Sequence, residues 1–557
     1  IDEEQLQRYR GQSVIDVLRG QGGIYVTQNG GDGASSGVRL RGYSNSQVLV
    51  LIDGIRYSSA TAGGAALSLL PVDQIDRIEI VYGASGSSLY GSDAMGGVIQ
   101  IFTKGQNAQQ SNVALTIGGG TQNSYKGQIT GQYVNDTSTL SLSTGYEKTD
   151  GINATRPDVG SNYFADKDGF ESKSASFVAK HKINDAVDVG VNGLVSKSTS
   201  DFDSGSTLIN TYSDQKNGAA SAYINFNQDK LSANLKYGQS FDKTTTYDST
   251  SPQGNTFDTT QKQLNLQLGY KLPVGQLIAG LEHLKQEADV NANYAIYDLD
   301  RTVKSLFTSY LVTQNNFDFQ AGVRQDDHSE YDKHTSYNIG GAYRINPTTR
   351  LGLAYSTGFK APTVQDIYYG SGTVRFQTNK NWEAFIENNG KNRTTRLTGY
   401  QSDIENKTIW ANGKTQVIPN ASIDGINLSS DWKSNALLFG FDYDYQKAKN
   451  ETTNQTLYYH PKNKATVYVG YQQPKYDLRA EVSYTDKSIS PDYSKGQETR
   501  QTLDDYALLN ISANYYLSPN LTINTRINNL TDTSYQTVYG YNAKGTNAFA
   551  SLTYQWF

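Results

Sequence analysis

The chain has 557 residues, about four times a typical single-domain length, so more than one folding unit is expected. Its 49 Lys and Arg against 54 Asp and Glu give a formal charge of -5, no general attraction to nucleic acid, and the absence of Cys excludes disulfide frameworks, thiol catalysis and Cys-based zinc sites. Hydrophobic residues reach only 36%, below the roughly 45–50% of ordinary globular chains, yet 11% aromatics, with 41 Tyr, are hard to leave solvated in a disordered chain.

In chain order, residues 1 to about 104 are Gly-rich and show no regular alternation. Ser13 to Leu18 reads as a short helix with Ser13 as N-cap and Asp16 in the first turn. Val48 to Ile52 is the longest strong apolar run and reads as a buried strand. No stretch approaches the 18 or so apolar residues of a transmembrane helix. The chain starts at Ile1 with no initiator Met and no apolar signal segment, as a mature or truncated product would.

After Gly105 the texture changes. Val113, Leu115 and Ile117 alternate with polar or small residues, and so do Val187, Val189, Val191 and Val195, with Gly193 interrupting. The same period of two returns in Leu264 to Leu272, Val467 to Tyr471, Leu509 to Leu517 and Leu521 to Ile527. Between the apolar positions stand Gln263, Asn265, Gln267 and Lys271 and their like, a polar face too extensive for a sandwich core. It suits the lumen of a transmembrane β-barrel, whose aromatic girdles account for the Tyr content. Roughly 450 residues over about 22 strands leaves about 20 per strand and connection, the size class of plugged outer-membrane transporters. The expected fold is therefore an all-β transmembrane barrel of about 22 antiparallel strands, residues 106–557, whose lumen is closed by an α+β plug, residues 1–105. Leu552, Tyr554 and Trp556 alternate before Phe557, but the apolar face counted back from that last aromatic falls on Gln555 and Thr553, out of the usual register.

Four blocks then occur in order: Leu40-Arg41-Gly42, Val48 to Gly54, Ile75 to Ile80, and Leu89 to Ile101. Together they resemble the plug domain of TonB-dependent outer-membrane receptors. Tyr82-Gly83-Ala84 departs from the family's Arg-Gly-Pro and removes one plug arginine. In the second half, Gly358 to Pro362 is similar to the family's FKAP segment, Trp382-Glu383 with Glu387 to a strand whose glutamates face the plug, and Asn529-Leu530-Thr531-Asp532 with Tyr535 to its penultimate-strand motif. Within the family, Thr27 to Gly31, Asp166 to Phe170 and Thr537 to Tyr541 are similar to segments of the cobalamin (vitamin B12) transporters.

The resemblance implies the sites. Asn29, Gly30, Gly31, Asp32, Ala34 and Ser35 in one plug loop, and Ser59, Ala60, Thr61 and Ala62 in a second, are expected to meet substrate, because small residues admit a bulky ligand and amides and hydroxyls bond its amide arms. Phe202, Tyr539 and Tyr541 are expected to join them from outer loops. Asp166-x-Asp168-Gly169 supplies two carboxylates and a turn, a pattern that also serves as a plain solvated turn. By resemblance Asp166, Asp168, Asp203 and Asn210 would hold Ca²⁺, with Asn153 and Asn210 standing at family acidic positions and lowering the charge. Glu383 and Glu387, four apart on a strand, face one side and are expected to pair with Arg41 and Arg77 of the plug.

The reading is energy-coupled import of cobalamin or a related corrinoid across the bacterial outer membrane, by a monomer set in outer-membrane lipid, with TonB as partner. No TonB box is visible before Ile1, so this stretch is expected to bind ligand without by itself transporting it. A ferric-siderophore receptor is the alternative, given the Tyr-rich composition, and a passive barrel or adhesin a more remote one; phage or colicins are possible users of the same loops. The five histidines are scattered, against haem or zinc capture. Neither plug loop fits a nucleotide-binding pattern, and no nucleophile elbow stands in the barrel half, so no enzymatic activity is expected.

Overall fold

The computed structural model describes residues 1–204, 211–293, 295–370, 374–494 and 496–556. Among them, twenty-two antiparallel strands close into one barrel, from Asn112–Gly120 to Asn547–Trp556, and the last pairs with the first. At that seam Leu552 lies opposite Ile117, Tyr554 opposite Leu115 and Trp556 opposite Val113, all six exposed on the outer surface. Thr553 and Ser551 point inward and are buried. The terminal pleat thus keeps its apolar face outward through Trp556; Phe557 lies outside the described residues.

The alternation read from the sequence is this inside–outside pleat. Along Tyr125 to Tyr133, Ile129 stands exposed between two exposed tyrosines, while Thr130 turns inward and shares a hydrogen bond with Ser143. No helix among the described residues is long and apolar enough to cross a membrane. At one end the connections are tight turns, such as 229–230, 315–316 and 435–436; at the other they include long loops, such as 153–167, 361–376, 451–462 and 529–546. Short turns belong on the periplasmic side and long loops outside. Asp229, Asn315 and Asn435 occupy the left-handed region these tight turns require.

The hydrophobic core belongs to the plug. Helix α1 (Glu3–Gln7) is capped by Asp2, and α2 (Val14–Arg19) begins at Ser13, whose N–H and hydroxyl both donate to Asp16. Strands β1 (Ile24–Gln28) and β2 (Ser36–Leu40) form a hairpin. Strands β3 (Val48–Ile52), β4 (Ile55–Arg56), β5 (Ile75–Tyr82) and β6 (Gly97–Thr103) form a sheet in the order β4-β3-β6-β5, with β3 and β6 parallel. Val14, Val17, Leu18, Ile24, Val50 and Ile99 pack there with a few inward wall residues, among them Leu194, Tyr400 and Ile423. Elsewhere plug and wall meet through polar groups. Arg324 of the wall, 1% exposed, holds Glu282 at 2.7 Å and Asp326 at 2.9 Å and donates to the plug carbonyl of Leu89.

Candidate functional site at the outer mouth

The plug raises two loops toward the long outer loops of the wall. The first, residues 29–35, joins β1 to β2. Gly30 has φ +114°, and a Cβ there would lie 2.6 Å from Ala154; Gly33 has φ +70°, and a Cβ would lie 2.2 Å from Phe170. Gly30 and Gly31 are buried against the wall loop, so their missing side chains serve the docking of plug to wall rather than the approach of a ligand. Asp32 accepts from Lys544 of the last outer loop at 2.5 Å. Burial opposes its charge, but Lys544 outweighs that and holds the carboxyl below its ordinary range. Ser35 is the exposed tip, with Asn29 and Ala34 half-buried beside it.

The second loop is docked as firmly. The Ala60 N–H donates to Thr259, and the carbonyls of Ala60 and Thr61 accept from Val364 and Gln365 at the start of the loop helix Val364–Tyr368. Ser59 and Thr61 share a hydroxyl hydrogen bond, and Ala62 is the exposed tip. Ser35 and Ala62 are thus the apices offered to the outside.

Asp166, Asp168 and Asp203 come together at the outer end of the wall: one carboxylate oxygen from each lies within 4.8 Å of the others. Asp168 accepts from the Ala154 N–H at 2.6 Å, and Asp203 accepts from the Thr155 hydroxyl, so the cluster also ties down the loop that covers Gly30. Glu171 and Lys173 face outward on the same strand as Asp168, which places its outer end above the apolar band of the membrane. Burial pushes Asp168 up to about 7, with the charges of Asp203, Asp166 and Asp201 adding to it against the Ala154 N–H. Burial, followed by Asp166, raises Asp203 as well. Asp201 stands beside the cluster and accepts from Gly169. Asn210 lies outside the described residues. An all-oxygen donor set of this spread suits a hard cation, since Ca²⁺ takes oxygen ligands at about 2.3–2.6 Å.

Tyr541 bridges to Thr155 and the Tyr539 N–H donates to Ser490, so both belong to the loop that leans over the first apex; Phe202 sits half-buried at the end of the neighbouring strand. The plug–wall ion pairs differ from expectation. Arg41 reaches Glu383 at 2.5 Å. Glu387 instead pairs within the wall, with Arg396 at 2.7 Å and Arg350 at 3.1 Å, because both arginines stand on strands adjacent to its own. Arg77 pairs with Glu79 of its own strand β5 and stacks on Phe102, and among the described residues it has no ion pair to the wall. Sequence reasoning also missed an aromatic cluster at the mouth, where Tyr297, Tyr368, Tyr369 and Trp410 from three separate segments meet at ring separations of 4.4–6.4 Å. Only the closed barrel brings those segments together, so no local pattern marks it.

Residues 109–530 match the family model for the TonB-dependent receptor-like β-barrel, and residues 1–98 match that for the TonB-dependent receptor plug domain. The chain belongs to the TonB-dependent receptor family. It is an outer-membrane transporter, not an enzyme, and TonB is the partner the family implies. This receptor is 28% identical over 571 residues to the vitamin B12 transporter BtuB of Photobacterium profundum, covering 100% of this chain and 92% of the relative. It is 27% identical over 578 residues to that of Vibrio vulnificus, with the same coverage. Among solved structures it is similar to a variant of the ferric enterobactin receptor PfeA of Pseudomonas aeruginosa in complex with enterobactin (TM-score 0.84, 17% identity, 100% of this chain and 99% of that one). The siderophore receptor PirA of Acinetobacter baumannii is similar at TM-score 0.83 and 16% identity, covering 100% and 98%. At such identities the receptor shares their fold, and their cargo is a separate matter.

Proposed function

We propose that this receptor imports cobalamin or a related corrinoid, and that Ca²⁺ held by Asp166, Asp168 and Asp203 orders the outer loops over the cargo. The observation that carries the reading is the meeting of these three carboxylates beside the wall loop that packs on Gly30 of the first plug loop, with Asp168 accepting from Ala154 of that loop. The full-length likeness to two vitamin B12 transporters supports it. Three carboxylates at this separation repel one another; a divalent cation neutralises that repulsion and lowers the ordering cost that cargo binding otherwise meets. The half-buried rings of Phe202, Tyr539 and Tyr541 on the outer loops offer flat apolar area, and the exposed Ser35 offers a hydroxyl, groups suited to a large ring system fringed with amides.

The test is a titration of the purified receptor with cyanocobalamin at micromolar concentration, with and without calcium. Saturable binding that calcium tightens is expected. Absence of binding in both conditions, together with capture of a ferric siderophore, overturns the corrinoid reading and leaves the transporter assignment intact.

A further inference from the structure

Beneath the outer loop 451–462, three basic side chains converge on the plug–wall seam with no carboxylate among them. Arg39 stands on β2 of the plug, half-buried, with its guanidinium over the ring of Tyr459 at 4.7 Å. Its Nε is buried without a partner, and among the described residues no hydrogen bond or ion pair reaches its guanidinium. Lys407 enters from the wall strand Arg393–Ala411, is 4% exposed, and donates to the neutral side chain of Gln47 at 2.8 Å. His460, 6% exposed, has Nδ1 2.5 Å from the Tyr458 carbonyl and Nε2 2.6 Å from the Gly42 carbonyl. A neutral imidazole carries one N–H, so only a doubly protonated ring satisfies both carbonyls. Burial, and after it the charges of Arg39 and Lys407, push His460 down to about 3. The acidic groups nearby are committed elsewhere: Asp366 to Lys360 at 3.0 Å, and Glu498 to the Tyr458 hydroxyl at 2.6 Å.

Buried cations are ordinarily paired, because an uncompensated charge away from water is costly. Burial, and after it the charges of Arg39 and Lys360, lower Lys407 to about 7, so Arg39 is the one of the three held as a full cation with no counter-ion. An anion that arrives would bond its open edge and favour the charged forms of Lys407 and His460. We propose that Arg39 and Lys407, with the His460 ring contributing charge rather than a hydrogen bond, form an oxyanion receptor on the plug–wall seam, which binds the phosphodiester of a corrinoid's nucleotide loop and so separates complete corrinoids from precursors that lack it. The choice of phosphodiester rests on the corrinoid reading above; the oxyanion chemistry rests on these three side chains alone.

Two probes separate those layers. Cyanocobalamin carries the phosphodiester and dicyanocobinamide does not. In the full chain, Arg39→Gln and Lys407→Met should each weaken cyanocobalamin by about tenfold to a hundredfold, the range of a hydrogen bond to a charged group, and leave dicyanocobinamide within about twofold. Equal losses for both probes, or no loss for either, overturn the phosphodiester assignment. Independently of any cargo, inorganic phosphate should raise the urea midpoint of the plug, against chloride at equal ionic strength, by more in the wild type than in Arg39→Gln, which keeps only the general salt effect. A larger phosphate effect in the wild type without corrinoid binding keeps the oxyanion receptor and discards the corrinoid. Equal phosphate effects in the two chains and no difference between the two corrinoids discard the receptor itself.

Discussion

Arg41 of the plug meets Glu383 of the wall at 2.5 Å, and its guanidinium also lies over the rings of Tyr82 and Tyr400 at 4.7 and 4.8 Å. The pair is largely withdrawn from water, its side chains 7% and 15% exposed. Removing one partner leaves a buried charge unpaired, which typically costs roughly 3–5 kcal/mol. Glu383→Gln should therefore loosen the plug while the barrel stays closed, because the ladder of wall hydrogen bonds does not depend on that carboxylate. Hydrogen exchange should show faster exchange at residues 36–43 and unchanged protection in the wall strands; equal loosening of both would contradict this division.

The acidic cluster predicts a calcium effect that must be reciprocal. Coupling between two ligands is typically worth about 5–150-fold in affinity, and each must tighten the other by the same factor. Asp166→Asn with Asp168→Asn, which keeps an acceptor for the Ala154 N–H, should abolish the calcium effect on cyanocobalamin while leaving calcium-free affinity nearly unchanged. Retention of the full enhancement would show these two aspartates to be a solvated turn.

The same cluster fixes a pH dependence. Asp168 is raised to about 7 and Asp203 is raised with it, so the metal-free loops hold protons that the unfolded chain has already released. Their contribution to stability is accordingly present below the unfolded carboxylate range and lost as pH rises through about 7. Calcium must displace those protons, and its affinity should rise roughly tenfold between about pH 6 and pH 8. A flat profile by calorimetry would contradict the buried, proton-holding state of Asp168.

Gly33 tests how tightly the plug apex is seated. Its φ of +70° and the 2.2 Å approach of Phe170 to a built Cβ make Gly33→Ala strained twice over. The backbone term alone is about 1–2 kcal/mol. The substitution should shift loop 29–35 and weaken cyanocobalamin binding, whereas Gly127→Ala, with nothing within 4 Å of the new Cβ, should be neutral in both respects.

The outer surface offers a depth-dependent test. Ile129 stands midway between the exposed Tyr125 and Tyr133 and faces lipid. Ile129→Arg should destabilise the folded barrel in bilayers by about 2–4 kcal/mol, the cost of an arginine near the midplane. Thr130→Ser, one residue along and facing the lumen, should be nearly neutral in the same refolding assay.

The sequence by itself determined the barrel, because a strand in a membrane wall must alternate, and alternation over hundreds of residues is a local pattern visible without coordinates. It also carried the short helix at Ser13, the buried β3 run and the aspartates 166 and 168, each written within a few neighbouring residues. The tertiary structure decided what depends on closure. Pairing of adjacent strands, with Phe170 opposite Ser200, brings Asp203 to Asp166 and Asp168 and leaves Glu387 to wall arginines on either side, while docking of the plug sets Arg41 rather than Arg77 against a wall glutamate. Gly30 and Gly31 read as room for a ligand, yet the docked wall loop takes that room. Arg39, Lys407 and His460 stand far apart in the chain and share no motif; whether a charge is compensated is a property of its surroundings, and those exist only once plug and wall have met.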